Sequence, residues 1–574
     1  MRIANLSSSP SRRTVCAAIL GAATVVIAPY LLRGYTAGHD TVFHVNWWLD
    51  IAGQFREGIF HPRWAEMAYR GYGEPAFIFY PPLSLYLGAI LTLLLPFRMA
   101  LGAYVWLVLV LAGFSFFYLC RRFFDARSSL LGAVVYVLNP YHLLEVHARC
   151  SMAELLVSAS LPLLLLATYR LSELGSRRIA IVAVLFAIVS LTNIPLAVVS
   201  AYAAFAFVIA LTLARKSGAG LVVRFGVAIV LGAGLAGFFL LPAWFEKGWV
   251  LAAVHGSVPP EAQFVRLNAL PSGRWPWVLA GVEVGQIVIG CLAWALCKRT
   301  KPRDALWAFT AVFSASVIMV LPISAFIWRI APSLVYVQFP FRWLGPMGLA
   351  MSFFVAAAVQ QSGKGLLLAA GVCTLGLVTL AAFTVLINTK ADVMLPSLKS
   401  AFSEGRGYLG WPYVLPRDIK INEFGIPLHL TPGDPLVSEV SQEIAAGALQ
   451  EGDRSPAPAQ STSQIAITRW SANAREVTID TPQPVWIRFR LFRYPGWNAY
   501  IDGKPIDAVA TDTRGGVVVP VPSGRSQVSV LYQKTADQNW GIVLSLFSLV
   551  LLLWMFFSGE SKLRDMPLPS GRVA

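Results

Sequence analysis

Apolar runs of bilayer-spanning length recur along this chain, and no other feature limits its fold as strongly. An α-helix needs about 20 mostly apolar residues to cross ~30 Å of hydrocarbon. Runs of this kind lie near 14–33, 99–119, 128–145, 152–169, 179–193, 196–214, 221–242, 277–296, 304–322, 341–360, 365–387 and 538–557. With 56% hydrophobic and 13% charged residues over 574 positions, the chain carries more apolar surface than a soluble core can bury. The expected fold is therefore a polytopic α-helical membrane protein of about twelve spans. The net charge of +16 is not a nucleic-acid footprint, because Arg and Lys gather in short clusters at the ends of the apolar runs, as positive-inside anchoring and headgroup contact require. Membrane lipids are expected partners and nucleic acid is not. The cysteines (Cys16, Cys120, Cys150, Cys291, Cys297, Cys373) lie in or beside spans without CxxC spacing, which argues against a disulfide scaffold or a thiolate metal site.

Charge decides the parity of the spans. Arg12 and Arg13 precede the first run, whose length and lack of a small-residue cleavage site favour an uncleaved span with a cytoplasmic N-terminus. If the run from Pro81 to Pro96 crossed fully, every later basic loop would face outward. Read as a re-entrant or interfacial helix, it leaves Arg121/Arg122, Arg170 with Arg177/Arg178, Arg215/Lys216, Lys298 to Arg303, Lys364 and Lys562/Arg564 all inside. Twelve spans with both termini cytoplasmic satisfy every cluster. The expected organisation is a transmembrane domain 1–387 with a large first outer loop 34–97, an outer β-rich domain 388–537, a last span 538–557 and a cytoplasmic tail 558–574.

Outside the bilayer, the same parity gathers loop 34–97, the turn Asn139 to Glu154, TNIP (Thr192 to Pro195), loop 243–276, segment 323–343 and the late insert. From about Ile465 to Gln533 that insert alternates apolar and polar residues, with a hairpin signal at Asp502-Gly503, and reads as a small β-sandwich. The Pro, Gly, Ser, Ala and Gln-rich stretch from Pro432 to Ser463 reads as partly disordered.

Candidate chemistry collects on this outer face. Asp40 follows the first span in GHDTVFH; a carboxylate in a partly desolvated cleft can deprotonate a hydroxyl or hold a divalent cation, and it can equally cap the helix that follows. His39 and His44 flank it, with interfacial hydrogen bonding as the plainer alternative to metal ligation. Arg149 and Glu154 sit in HARCSMAELL at the outer end of a hairpin between spans, and Arg342 sits among aromatics in YVQFPFRWLGP. Ionisable residues at that depth are costly unless paired or facing a cavity, so they form either a structural pair or an anion site. Trp64, Glu74 and Tyr80, in HPRW and YGEPAFIFYPPL, complete the set; the aromatics either stack on a sugar or isoprenoid or belong to the interfacial belt.

The HD-x(3)-H after the first span, the PRW to GYGEPAFIFYPPL return, the R-x(3)-AE hairpin and QFPFRWL resemble the 6-pyruvoyl-tetrahydropterin-synthase-related membrane proteins. YPGWNAYIDGKPI is similar to the C-terminal region of YfhO-like membrane proteins. The resemblance says nothing for pterin chemistry. Both groups look related to the GT-C glycosyltransferases, which implies a GT-C-like membrane domain and transfer of a sugar from a polyprenyl-phosphate donor to a glycan, lipid or protein acceptor in the envelope. By position the general base would be Asp40, with Glu74 or Glu154 completing the site, Arg149 and Arg342 on the phosphate, and His39, His44, Tyr80 and Trp64 on substrate. Many GT-C enzymes carry two adjacent acids, whereas His39 and Thr41 flank Asp40; a divalent cation, Mg or Mn, would have Asp40 as its only assigned ligand. The expected location is a bacterial inner membrane. The competing classes are a transporter or flippase of lipid-linked saccharides, which needs polar residues in mid-span, and a non-catalytic envelope assembly factor.

Overall fold

The computed structural model describes residues 10–35, 38–173, 175–251, 264, 274–331, 333–386, 400–402, 404–411, 414–417, 419, 427, 430, 434–440, 463–506, 510–511 and 515–564. Among the described residues, ten helices are long and apolar enough to cross a membrane, eleven with one bent pair counted as a span. The chain is a multi-pass helical membrane protein with a C-terminal β-sheet region.

Two expected spans depart from simple helices. The run at 221–242 is broken: Gly220–Leu235 ends and Gly237–Trp249 turns away by 76°, at a glycine-rich GAGLAG sequence with little helix propensity. The run at 179–193 forms Ser176–Thr192, a 17-residue helix, shorter than a full crossing. Pro82–Leu94 has 13 residues, too few to span, as its re-entrant or interfacial reading requires.

Burial grades the bundle. Pro340–Gln361 is 83% buried and packs at its centre, whereas the last helix, Ala536–Ser558, is 22% buried and lies at the rim. At the centre Phe353 stacks on Phe309 with ring centroids 3.7 Å apart.

The hairpin joining two inner spans is built by local sequence. Ala126–Val137 stops where Asn139 caps a new turn, its Oδ1 accepting from His142 N at 3.0 Å, and Pro140 supplies a first-turn residue with no N–H to satisfy. A π-helical turn, Glu145–Arg149, widens the backbone and ends at Cys150 with φ of 56°. Met152–Arg170 then leaves in the opposite direction. These devices bring Glu145, Arg149 and Glu154 to one spot.

The late insert forms two antiparallel sheets, β1-β4-β8-β7 and β2-β3-β9-β5-β6. The strands are β1 Val437–Val440, β2 Gln464–Ser471, β3 Ala474–Thr481, β4 Val485–Phe492, β5 Trp497–Ile501, β6 Lys504–Pro505, β7 Ala510–Thr511, β8 Gly516–Val521 and β9 Gly524–Tyr532. Alternate residues such as Val477, Ile479, Ile487, Phe489, Val517 and Val519 are fully buried in a shared core. The β5–β6 hairpin turns on Asp502 (φ 49°) and Gly503 (φ 76°), the left-handed pair that a two-residue turn needs. Part of the stretch read as disordered is ordered, since β1 pairs with β4 from Val437↔Phe489 to Val440↔Trp486; residues 441–462 lie outside the described residues. The sheets rest on the loop 34–97, where Phe492 N donates to Tyr72 O at 2.9 Å and buried Arg475 meets Glu66 at 3.2 Å.

Candidate active site

Glu154, in the first turn of Met152–Arg170, is the hub of a buried charge cluster. Arg149 Nη1 donates to its Oε2 at 2.7 Å and Arg149 Nη2 to its Oε1 at 3.0 Å. Arg342 Nε and Nη2 reach the same Oε1 at 2.9 and 2.8 Å, and Tyr141 Oη donates to Oε2 at 3.1 Å. Five donors saturate its lone pairs, so this carboxylate has no vacant position from which to take a substrate proton. Arg149 also donates to Glu145 Oε1 at 2.7 Å. Each guanidinium rests on an aromatic face, Arg149 at 4.7 Å from Phe341 and Arg342 at 5.0 Å from Phe339, and these two rings stack at 5.2 Å. The cluster tolerates burial because every charge in it has an opposite partner.

Asp40 stands at the rim of the cluster in a different state. Its backbone N–H donates to Arg149 O at 3.0 Å, which ties the loop 34–97 to the hairpin. Asp40 precedes Thr41–Arg56 in the capping position, yet its side chain makes no cap hydrogen bond. The carboxylate is 36% exposed, with Arg149 Nη2 at 3.9 Å, beyond hydrogen-bonding reach. It is the accessible acid of the group. Gly38 permits this approach: a Cβ there would lie 2.5 Å from Cys150 Sγ and 2.7 Å from Ala148 O.

The remaining sequence candidates divide into two groups. His39 sits beside Asp40, edge-on to Trp275 at 4.8 Å. His44, 1% exposed, packs against Tyr80 at 5.7 Å, and burial lowers its pKa to about 4. It is neutral at pH 7 and brings no positive charge to the site. Tyr80 lies 4.7 Å from Trp47, which lies 5.6 Å from Trp411, forming an aromatic wall.

Trp64 and Glu74 belong elsewhere. Trp64 is 2% exposed and wedged between the loop and the sheets, 5.7 Å from both Tyr494 and Trp497. Glu74 is fully buried and accepts from Trp411 N at 2.8 Å; burial raises its pKa to about 8. Neither touches the Asp40 cluster. Among the described residues, no group of three or more His, Cys, Asp or Glu side chains is placed to hold a metal.

Glu145, Tyr141 and Trp275 are site residues that the sequence reading did not single out. Glu145 had a local signal, four residues before Arg149 in a helical hairpin. Trp275 had none, since it arrives from a distant span.

The fold and site thus define a multi-pass membrane protein with a buried Arg/Glu cluster and an accessible acid, Asp40, at its rim. The chain belongs to the 6-pyruvoyl-tetrahydropterin synthase related family of membrane proteins, whose domain matches residues 77–391, more than half its length. No curated protein matches the sequence. Among solved structures, the chain is similar to arabinofuranosyltransferase AftD from Mycobacteria, with 11% identity, a TM-score of 0.44, and coverage of 92% of this chain and 58% of that one. A mutant AftD structure gives 12%, 0.43, 93% and 61%. ArnT from Cupriavidus metallidurans bound to undecaprenyl phosphate is similar at 12% identity, a TM-score of 0.30, and coverage of 61% of this chain and 78% of that one. The chain spans about three fifths of the AftD chains.

Proposed function

We propose that the protein is a membrane glycosyltransferase that moves a sugar from a polyprenyl-phosphate donor to an envelope acceptor on the outer face, with Asp40 as general base. The observation that carries this reading is the contrast at the cluster: one half-exposed, uncapped carboxylate beside two arginines that a buried glutamate holds in place. A base must reach its proton, and Asp40 is the acid with room to do so. Arg149 and Arg342, fixed before substrate arrives, would stabilise charge developing on the departing phosphate without reorganising. Glu154 would serve as their positioning residue. His39 and Tyr80 flank the space in front of Asp40 and would orient the two substrates.

Asp40, Glu145 and Glu154 against Arg149 and Arg342 leave the cluster without surplus positive charge when all are ionised. A divalent cation, Mg or Mn, would have Asp40 as its one carboxylate from this cluster and would supply positive charge toward the donor phosphate. The glycan, lipid or protein acceptor and a bacterial inner membrane with cytoplasmic termini belong to the same proposal.

A second reading, transport of lipid-linked saccharides, draws on one observation. Glu283 and Gln286 lie within the span Trp275–Cys297 and are buried, and both side-chain atoms of the Gln286 amide are unpaired. Buried polar groups at membrane depth mark pathways, although this is one cluster and not a lined channel.

The test is sugar release from labelled polyprenyl-phosphate sugars by the full-length protein in lipid, with Asp40→Asn as control. We expect turnover in the wild type and a loss of about 10²- to 10⁴-fold in the variant, with added EDTA reporting on the cation. Turnover that persists in Asp40→Asn rejects the assigned base. No turnover alongside uptake of labelled lipid-linked sugar into vesicles would select the transporter.

A further inference from the structure

At the opposite end of the bundle from Asp40 lies an apolar groove with basic residues at its mouth. The helix Met152–Arg170 runs from the active-site cluster to this end, so Glu154 and Arg170 are separated by about 24 Å along it. The groove has a volume of about 440 Å³ and runs between this helix, Ser176–Thr192 and the last helix, with Leu166, Val184, Leu185, Leu549, Leu552 and Phe556 along its walls. Arg170 and Arg178 line it as well. Arg170 is half-buried and makes no ion pair among the described residues; Arg178 pairs with Glu173 at 2.6 Å where both side chains are open to solvent, a contact of little worth that an anion can displace. Arg177 lies over Phe556 at 4.3 Å and fixes that wall.

We propose that this groove holds an anionic phospholipid, its acyl chain along the leucines and its phosphate between Arg170 and Arg178. Charge complementarity selects this occupant. An apolar cleft in a membrane accepts any acyl chain, but a guanidinium without a protein partner at headgroup depth favours a negatively charged head, because a zwitterionic one brings its own cation. The polyprenyl donor is excluded by distance, since its phosphate must reach Asp40 at the other end. The lipid would also clamp the last helix, which the bundle covers least, against the rest of the bundle.

The test uses full-length protein in nanodiscs of equal parts phosphatidylglycerol and phosphatidylcholine, with retained lipid counted by native mass spectrometry. The wild type should retain phosphatidylglycerol in excess of its bilayer share, and Arg170→Gln with Arg178→Gln should reduce that excess by on the order of fivefold per arginine. Val184→Trp, a change at a 41% exposed wall position, should fill the groove and expel the lipid with both arginines intact, and it decides the matter if the double variant fails to fold. Retention of both lipids in the bilayer ratio by the wild type, or unchanged retention in either variant, overturns the proposal.

Discussion

Two sets of buried acids lie around the first inter-span loop, 34–97, and they bear their burial differently. Glu154 takes donors from two arginines and Tyr141. Asp50, in the middle of Thr41–Arg56, is 3% exposed and has only neutral partners: Gln54 Nε2 at 2.9 Å, Met67 N at 3.0 Å and Tyr408 Oη at 3.2 Å. Glu74 is of the same kind, and burial raises Asp50 to about 7 and Glu74 to about 8. The first set keeps its charges by pairing them and presents them to the site. The second sheds charge and fastens segment 408–411 to the loop 34–97. Equal burial of a carboxylate therefore says little about its role; the charge of its neighbours decides.

The strongest break in this contrast is Glu154→Gln. It leaves the buried Arg342 guanidinium without a carboxylate and Arg149 with Glu145 alone, so we expect a loss of about 3–5 kcal/mol in stability, read as a lowered unfolding temperature in detergent; adding Arg342→Gln should restore part of it. A Glu154→Gln protein as stable as wild type would show that the arginines turn to solvent or to Glu145.

Gly38→Ala should come next, at about 1–3 kcal/mol for forcing a methyl against Cys150 and the Ala148 carbonyl. Because Asp40 is two residues away, its kcat should fall more than its KM rises in the transfer assay, whereas an equal change in both would place Asp40 outside the chemistry.

The neutral set is tested through pH dependence. Asp50 titrates near 7 when folded against an ordinary value of 3.8, so the native state binds the extra proton between these limits and stability falls as pH rises through that window. Asp50→Asn should flatten this decline with little change at pH 4, and Glu74→Gln should flatten the part that continues toward pH 8. Unfolding temperatures measured from pH 4 to 8 in both variants check the sign; a stability that rises with pH would mean that these acids are ionised and paired.

Much of the fold was legible because its signals are local. Spans announce themselves by run length, the hairpin at Asp502-Gly503 by its turn residues, and the restart at Asn139-Pro140 by capping chemistry. The break within the run at 221–242 was not legible from run length, because the last helix packs into it: a Cβ on Gly237 would lie 3.0 Å from Leu544, and Phe238 N donates to Ser545 Oγ at 2.8 Å. Strand β1 was missed because its four residues carry no pattern of their own and gain order only from β4.

At the site, sequence alone determined which ionisable residues stand at the outer ends of spans, since a charge in hydrocarbon is expensive wherever the chain takes it. It could not tell Glu154 from Glu74 as the second acid of the site, because neither segment says which cation from elsewhere in the chain will reach it. Tertiary structure decided that Arg342 crosses 188 residues of sequence to share Glu154 with Arg149, that Trp64 serves the sheet contact, and that Asp40 is left with its carboxylate free of a cap. Run length and residue type are properties of a segment, and the chain writes them directly. Which charges neutralise one another depends on distances between segments that only packing sets.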